Sequence, residues 1–175
     1  MARNVEIKAS IPSSAFAKLK ERVAGLADGE PVLLKQIDSF FDSPKGRLKL
    51  REFSDGRAEL LYYERQDLLG PKTSNYMRIE IDSVAEVKSL LTASNGLLGV
   101  VTKRRELSFI GQTRIHLDEV EGLGTFLELE VVLDENETSA VGMAIAEELM
   151  NRLRIQPDQL ISNSYFDLLD ENIER

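Results

Sequence analysis

TRIHLDEVEGLGTFLELEVVL, residues 113–133, alternates apolar and charged side chains on both sides of a glycine-marked turn. Ile115 and Leu117 oppose Arg114, His116 and Asp118; Leu127, Leu129 and Val131 oppose Glu128 and Glu130. A period of two is the signature of a strand with unlike faces, and EGLG at 121–124 supplies the turn between two such strands. The pattern recurs outward along the chain. Val5, Ile7, Ala9 and Ile11 share one face while Glu6 and Lys8 share the other. Leu48 and Leu50 oppose Arg47, Lys49 and Arg51; Val101, Lys103, Arg105 and Leu107 lie together; Met77, Ile79 and Ile81 oppose Arg78, Glu80 and Asp82.

These readings predict strands over 4–11, 32–41, 46–53, 57–65, 75–82, 98–109, 112–120 and 125–133. Helical spacing falls between and after them. Ser13 can cap a helix through about residue 25 with Phe16, Leu19 and Val23 on one face; 83–93 presents Val84, Val87, Leu90 and Leu91. The longest helix, 138–154, carries Met143, Ile145, Ala146, Leu149, Met150 and Leu153 and stops before Pro157; a last one spans 164–173. Consecutive strands with a few inserted helices indicate an antiparallel α+β protein, a single domain over 1–175.

An antiparallel sheet ordinarily has one dry face and one wet, charged face. Here the charges are sorted. Carboxylates concentrate on the first, seventh and eighth strands, Lys and Arg on the third, sixth and their neighbours. In a sheet closed into a barrel, the apolar faces would take the helices and the charged faces would line the interior. Enclosed charges must be paired or meet a ligand. A polyanion arriving with a metal fits both signs: Lys and Arg bind phosphate oxygens, and carboxylates hold Mg²⁺ or Mn²⁺. Glu128-x-Glu130 sets two carboxylates on one face, roughly 7 Å apart at the usual strand rise.

Composition excludes other classes. The chain has 175 residues and a net charge of −8, against the basic footprint of a polymeric nucleic-acid binder. It has no cysteine and one histidine, which rules out disulfides, thiolate sites and a His-rich zinc site. The apolar runs are too short to span a bilayer and the start lacks a signal-peptide core, so a cytoplasmic protein with no membrane partner is expected.

NVEIKA at 4–9, QIDSFFDSPKGRLKLRE at 36–52, VTKRRE at 101–106, residues 113–131 and NSYFDLL at 163–169 together resemble the CYTH family, which groups class IV adenylyl cyclases with thiamine-triphosphatase-like and other triphosphatases. The resemblance implies an eight-stranded antiparallel β-barrel, or tunnel, with a charged interior and helices packed outside. It implies that Glu6, Asp118, Glu128 and Glu130 bind the metal. Lys8, Lys49, Arg51, Lys103, Arg105 and Arg114 would bind phosphate, Lys8 also assisting chemistry. Arg65 and Arg78 are further phosphate ligands on this reading. Asn4 stands where the family signature E-x-E-x-K has its first glutamate, which alters the metal site. His116 is a candidate base or, by the simpler reading, a hydrogen-bonded structural histidine beside a carboxylate. Tyr62, Tyr63 and Tyr76 are candidates to stack on a base or a thiazole ring or, by the simpler reading, to fill the barrel mouth or pack under helices, and Tyr165 is expected to anchor the last helix.

The expected substrate is a small triphosphate-bearing molecule: inorganic triphosphate, thiamine triphosphate or a nucleotide. Hydrolysis of the terminal phosphate is the favoured activity. Cyclisation of ATP to cyclic AMP and pyrophosphate is the alternative, and a non-catalytic triphosphate-binding module is a third. The apolar stripe of 138–154 suits either its own barrel or a second copy of the chain, so a homodimer is also open.

Overall fold

The computed structural model describes residues 1–173; the last two residues of the domain expected over 1–175 lie outside the described residues. Within it, strands β1 (Ala2–Ile11), β2 (Val32–Phe41), β3 (Arg47–Phe53), β4 (Ala58–Arg65), β5 (Lys72–Glu80), β6 (Leu97–Ile110), β7 (Thr113–Val120) and β8 (Gly124–Leu133) form one antiparallel sheet. The spatial order is β5-β4-β3-β2-β6-β7-β8-β1, and β1 pairs back onto β5 to close an eight-stranded barrel. Four helices pack outside or across one end: α1 (Ser13–Leu26), α2 (Val84–Ser94), α3 (Ser139–Leu153) and α4 (Tyr165–Ile173).

Closure at β1 uses two elements on one edge. β5 covers residues 2–6, with Glu6 opposite Lys72, and the two-residue β9 (Leu160–Ile161) covers Lys8 and Ala9. Neither β9 nor the 3₁₀ turn before it (Pro157–Gln159) is legible in the alternation, because two residues hold no period. β5 starts at Lys72, not 75, because it must reach Glu6, and it ends at Glu80; Ile81 instead donates its N–H to Ala58 O.

Strand parity turns Val5, Ile7, Ala9 and Ile11 of β1, Ile115 and Leu117 of β7, and Leu127, Leu129, Val131 and Leu133 of β8 outward. There they meet Phe16, Leu19 and Val23 of α1 and Ala146, Leu149 and Leu153 of α3. The principal core therefore lies outside the barrel, between one wall and two helices. Each large buried side chain there contributes about 1.5–3 kcal/mol. The α3 stripe packs on its own barrel, through Gly142, Ala146, Leu149 and Leu153; Met143, placed on the stripe by spacing, is 36% exposed. The end of α3 is set by Arg154 in the left-handed region (φ 59°), ahead of Pro157. Pro12, rather than Ser13, holds the cap position of α1, its carbonyl accepting from Ala15 N–H.

The helices cover less of the barrel than its apolar faces would accommodate. Met77 and Ile79 of β5 remain 51% and 57% exposed. Every residue of α2 is at least partly exposed, and Lys88 ties that helix to Glu52 of β3 at 2.9 Å. Across one end of the barrel α4 brings Tyr165 and Phe166 onto a second cluster of Phe40, Val101, Val120 and Phe126.

Gly142 sits where α3 crosses β1 and β8. A Cβ there would stand 2.6 Å from Val5 Cγ2 and 2.9 Å from Leu133 Cδ2. Alanine favours a helix by roughly 0.5–1 kcal/mol over glycine, but overpacking costs about 1–3 kcal/mol. Gly142→Ala is expected to lower stability by about 1 kcal/mol, measured by urea denaturation.

Candidate active site

Inside the barrel, the strands with carboxylates are adjacent and form one wall. Register sets Glu6 opposite Glu130, Lys8 opposite Glu128, Arg114 opposite Glu130 and His116 opposite Glu128. Like charges directly across a ladder repel, and here they are buried as well. Arg65 donates to Glu6 at 2.6 Å, Arg114 lies 2.9 Å from Glu130, and Arg105 lies 3.3 Å from Glu128. Burial and the neighbouring Glu128 push the Glu6 carboxyl up against the pull of Arg65. Against its own burial, Glu128 is held well below the usual carboxylate range, chiefly by Lys8.

Ligating atoms of His116, Glu128 and Glu130 all lie within 4.8 Å of one another. Two further observations fit this wall to a divalent cation. His116 Nδ1 and Asn4 Oδ1 are both buried without a hydrogen-bond partner among the described residues, and each is an atom able to donate a lone pair. The carboxylate pair adds the hard oxygens such ions prefer.

The opposite wall, from β6, β2 and β3, is basic and is organised by one carboxylate. Asp38 is 1% exposed. Arg51 grips it through Nε and Nη2, each at 2.7 Å, while Lys49 and Lys103 each reach Oδ2 at 3.1 Å. Although burial works against it, these cations hold the Asp38 carboxyl well below its ordinary range. The lysines bear the reverse cost. Burial and Arg51 bring Lys49 down to about 8, and burial takes Lys103 well below its usual value.

Arg105 joins the walls. It forms a two-point pair with Asp118 (2.7 and 2.7 Å) and reaches on to Glu128. Asp118 Oδ2 also accepts from Tyr165 Oη at 2.7 Å, which ties α4 to the barrel interior. Lys8 lies beneath α4 with its Nζ 4.0 Å from the centre of the Tyr165 ring, and burial lowers its pKa.

Between the walls is a cavity of about 320 Å³, within the range of small-molecule sites. Its described lining includes nine Lys and Arg and five Asp and Glu, a formal surplus of four positive charges in a chain of net charge −8. Tyr165 and its cluster cover one end. The other is open, with Val32 and the Arg78 side chain both 50% exposed at its rim. A polyanion entering there meets basic groups on one side and candidate cation ligands on the other.

Most of the expected site residues share this cavity: Glu6, Lys8, Lys49, Arg51, Arg65, Lys103, Arg105, Arg114, Glu128 and Glu130. Arg78 stands at the rim, 4.0 Å from Glu59. Asp118, expected at the metal, has both oxygens taken by Arg105 and Tyr165. Tyr63 and Tyr76 line the cavity, whereas Tyr62 turns away and bonds Glu64. The sequence reading missed Asp38, although it faces inward with Gln36 and Phe40 in the QIDSFF stretch and that parity was the available signal. Lys72, at the start of β5, is not part of the described cavity lining; its amine donates to Leu68 O at 2.7 Å, and burial and Arg65 lower it to about 8.

A family model described as the CYTH domain matches residues 2–165. The adenylate cyclase CyaB of Aeromonas hydrophila is 24% identical over 146 residues, covering 79% of this chain and 74% of that protein. The structure of the PH1012 protein from Pyrococcus horikoshii OT3 superposes with a TM-score of 0.80 at 22% identity, covering 94% of this chain and 98% of that one. HpAC1 from Hippeastrum, a putative adenylyl cyclase described as having a dominant triphosphatase activity, superposes with a TM-score of 0.65 at 16% identity, covering 98% and 96%.

The lysine shifts predict a proton-linked site. Free Lys49 releases its proton near pH 8, and a polyphosphate beside it raises that pKa again, so the complex holds more protons than the free protein. Affinity for inorganic triphosphate is therefore expected to fall as pH rises through about 8. Calorimetric titrations in buffers of different ionisation enthalpy are expected to show net proton uptake that grows over the same range.

Proposed function

The chain belongs to the CYTH domain family, and from that premise we propose that it is a divalent-metal-dependent triphosphatase acting on a small triphosphate-bearing substrate. The observation that carries this reading is the facing of two unlike walls across one cavity: Lys49, Arg51 and Lys103 around Asp38, and Glu128 and Glu130 with Glu6 opposite. In this reading the basic wall takes the phosphate oxygens, with the outward donors of Arg51 and the lysine amines turning to the anion. Glu128, Glu130 and Glu6 hold Mg²⁺ or Mn²⁺. Arg114 and Arg65, which neutralise those carboxylates, become phosphate ligands beside it. Asp118 serves by fixing Arg105. Arg78 meets the substrate at the rim. The ion, when bound, supplies charge neutralisation for the phosphoryl oxygens.

The position of Lys8 favours attack on the terminal phosphorus. It lies at the covered end over Tyr165, which only the leading end of a triphosphate entering from the rim can reach. Its lowered pKa suits it to accept a proton from the attacking water. The water oxygen bonds to the terminal phosphorus, the bond to the bridging oxygen breaks, and orthophosphate separates from the remaining diphosphate. The triphosphatase activity described for HpAC1 supports the same reading.

A second reading, cyclisation of ATP, has support in the similarity to the Aeromonas cyclase. It also draws on the apolar collar of Val32, Leu34, Phe53, Leu61 and Leu107 in the cavity lining, which suits a nucleobase. There the 3′-hydroxyl attacks the phosphorus nearest the ribose, and pyrophosphate leaves.

Phosphorus NMR of the protein with Mg²⁺ or Mn²⁺ and, separately, inorganic triphosphate, thiamine triphosphate and ATP discriminates the readings. Orthophosphate is expected. Cyclic AMP with pyrophosphate would overturn hydrolysis in favour of cyclisation, and binding without turnover would make the chain a triphosphate-binding module. Replacing Lys8 by Gln is expected to lower the turnover number by about 10²–10⁴ while triphosphate still raises the melting temperature. Lys49→Ala is expected to act the other way, raising KM and shrinking that thermal shift.

A further inference from the structure

His116 occupies a position that an ordinary structural histidine does not. It is 4% exposed, yet its ring nitrogens lie 3.7 Å from Glu128 Oε2 and 3.9 Å from Glu130 Oε2, beyond hydrogen-bond range. Nδ1 is buried without a hydrogen-bond partner among the described residues. Leaving such an atom unsatisfied is destabilising, so the imidazole is held between two carboxylates by the register of β7 on β8 without compensation from a hydrogen bond. Two ligands about 2.1 Å from a common ion stand about 3–4 Å apart; one ring nitrogen of His116 and one oxygen from each of Glu128 and Glu130 lie within 4.8 Å of one another, close enough to converge on one ion after a small side-chain adjustment. The same two carboxylates are neutralised by Arg105 and Arg114, 3.3 and 2.9 Å away.

We infer that His116 is itself a metal ligand, so that the cation site is a mixed nitrogen–oxygen site selective for Mn²⁺ and its later neighbours over Mg²⁺. This deepens the metal assignment above and rests on it. The chemistry follows from the donor set. Mg²⁺ favours an all-oxygen octahedral shell and keeps much of its water. Imidazole nitrogen favours first-row transition ions, with affinity rising from Mn²⁺ through Co²⁺. Asn4, a neutral amide with a buried unpartnered oxygen in the same cavity, lowers the anionic charge that would otherwise favour a hard ion.

His116 is the one histidine in the chain, so isotopic labelling of histidine reports this residue alone. Mn²⁺ is added to the substrate-free protein and pulsed EPR is recorded with ¹⁴N- and ¹⁵N-histidine. A directly bonded nitrogen coupling that changes with the label is expected. Calorimetry is expected to show Mn²⁺ binding at least about tenfold tighter than Mg²⁺. His116→Gln is expected to weaken Mn²⁺ about tenfold or more while changing Mg²⁺ by less than about threefold, with the circular dichroism spectrum unchanged. Bound Mn²⁺ with an oxygen-only spectrum overturns the inference and leaves the triphosphatase reading standing. Failure to bind either ion, with or without inorganic triphosphate, overturns both. Should the variant not fold, the labelled wild-type spectrum still decides.

Discussion

The two-point ion pair between Arg105 and Asp118 ties together the parts of this structure that would otherwise repel or drift. It spans β6 and β7, where the basic wall gives way to the acidic one. From it, Arg105 reaches Glu128 on the next strand, and Asp118 receives the Tyr165 hydroxyl from α4. A fully buried pair of this kind is costly to break, by about 3–5 kcal/mol, because either partner alone is an uncompensated charge in a dry place. The cover of α4 over one end of the cavity and the position of Lys8 beneath Tyr165 share this set of hydrogen bonds.

The interior as a whole obeys the same constraint. Asp38 does for the basic wall what Arg65, Arg105 and Arg114 do for the acidic one: it supplies the minimum counter-charge that lets like charges stand together. The neutralisation is incomplete by design of the lining, leaving a positive surplus and several shifted lysines. A protein that keeps such charges out of water stores electrostatic energy that opposite charges brought beside them would release. This is why the core lies outside the barrel. The apolar faces of β1, β7 and β8 pack on α1 and α3, and that packing supports an interior with little apolar stabilisation of its own.

Much of this was legible along the chain. Alternation in residues 113–133 and 47–53 identified both the strands and the inward-facing charged sets, because a period of two fixes the face of every residue once a single one is known. The α1 stripe of Phe16, Leu19 and Val23 was likewise readable from spacing. What failed were features whose cause lies far away in sequence. The start of β5 at Lys72 answers to Glu6, and β9 exists because one edge of β1 needed a partner at Lys8 and Ala9. The role of Asp38 depends on side chains 11 to 65 positions distant.

The sequence by itself therefore determined which side chains face one another's company and which face the helices, since parity is a local property of the extended backbone. It also determined that an acidic chain carries an inward basic set. Only the tertiary structure decided which charges meet: that Asp118 belongs to Arg105 and Tyr165, that His116 stands among carboxylates, and that α4 covers one end of the barrel. Those outcomes follow from strand order and closure around a barrel. Ion pairing depends on a few ångströms of separation, and parity along one strand carries no information about the distance across the interior.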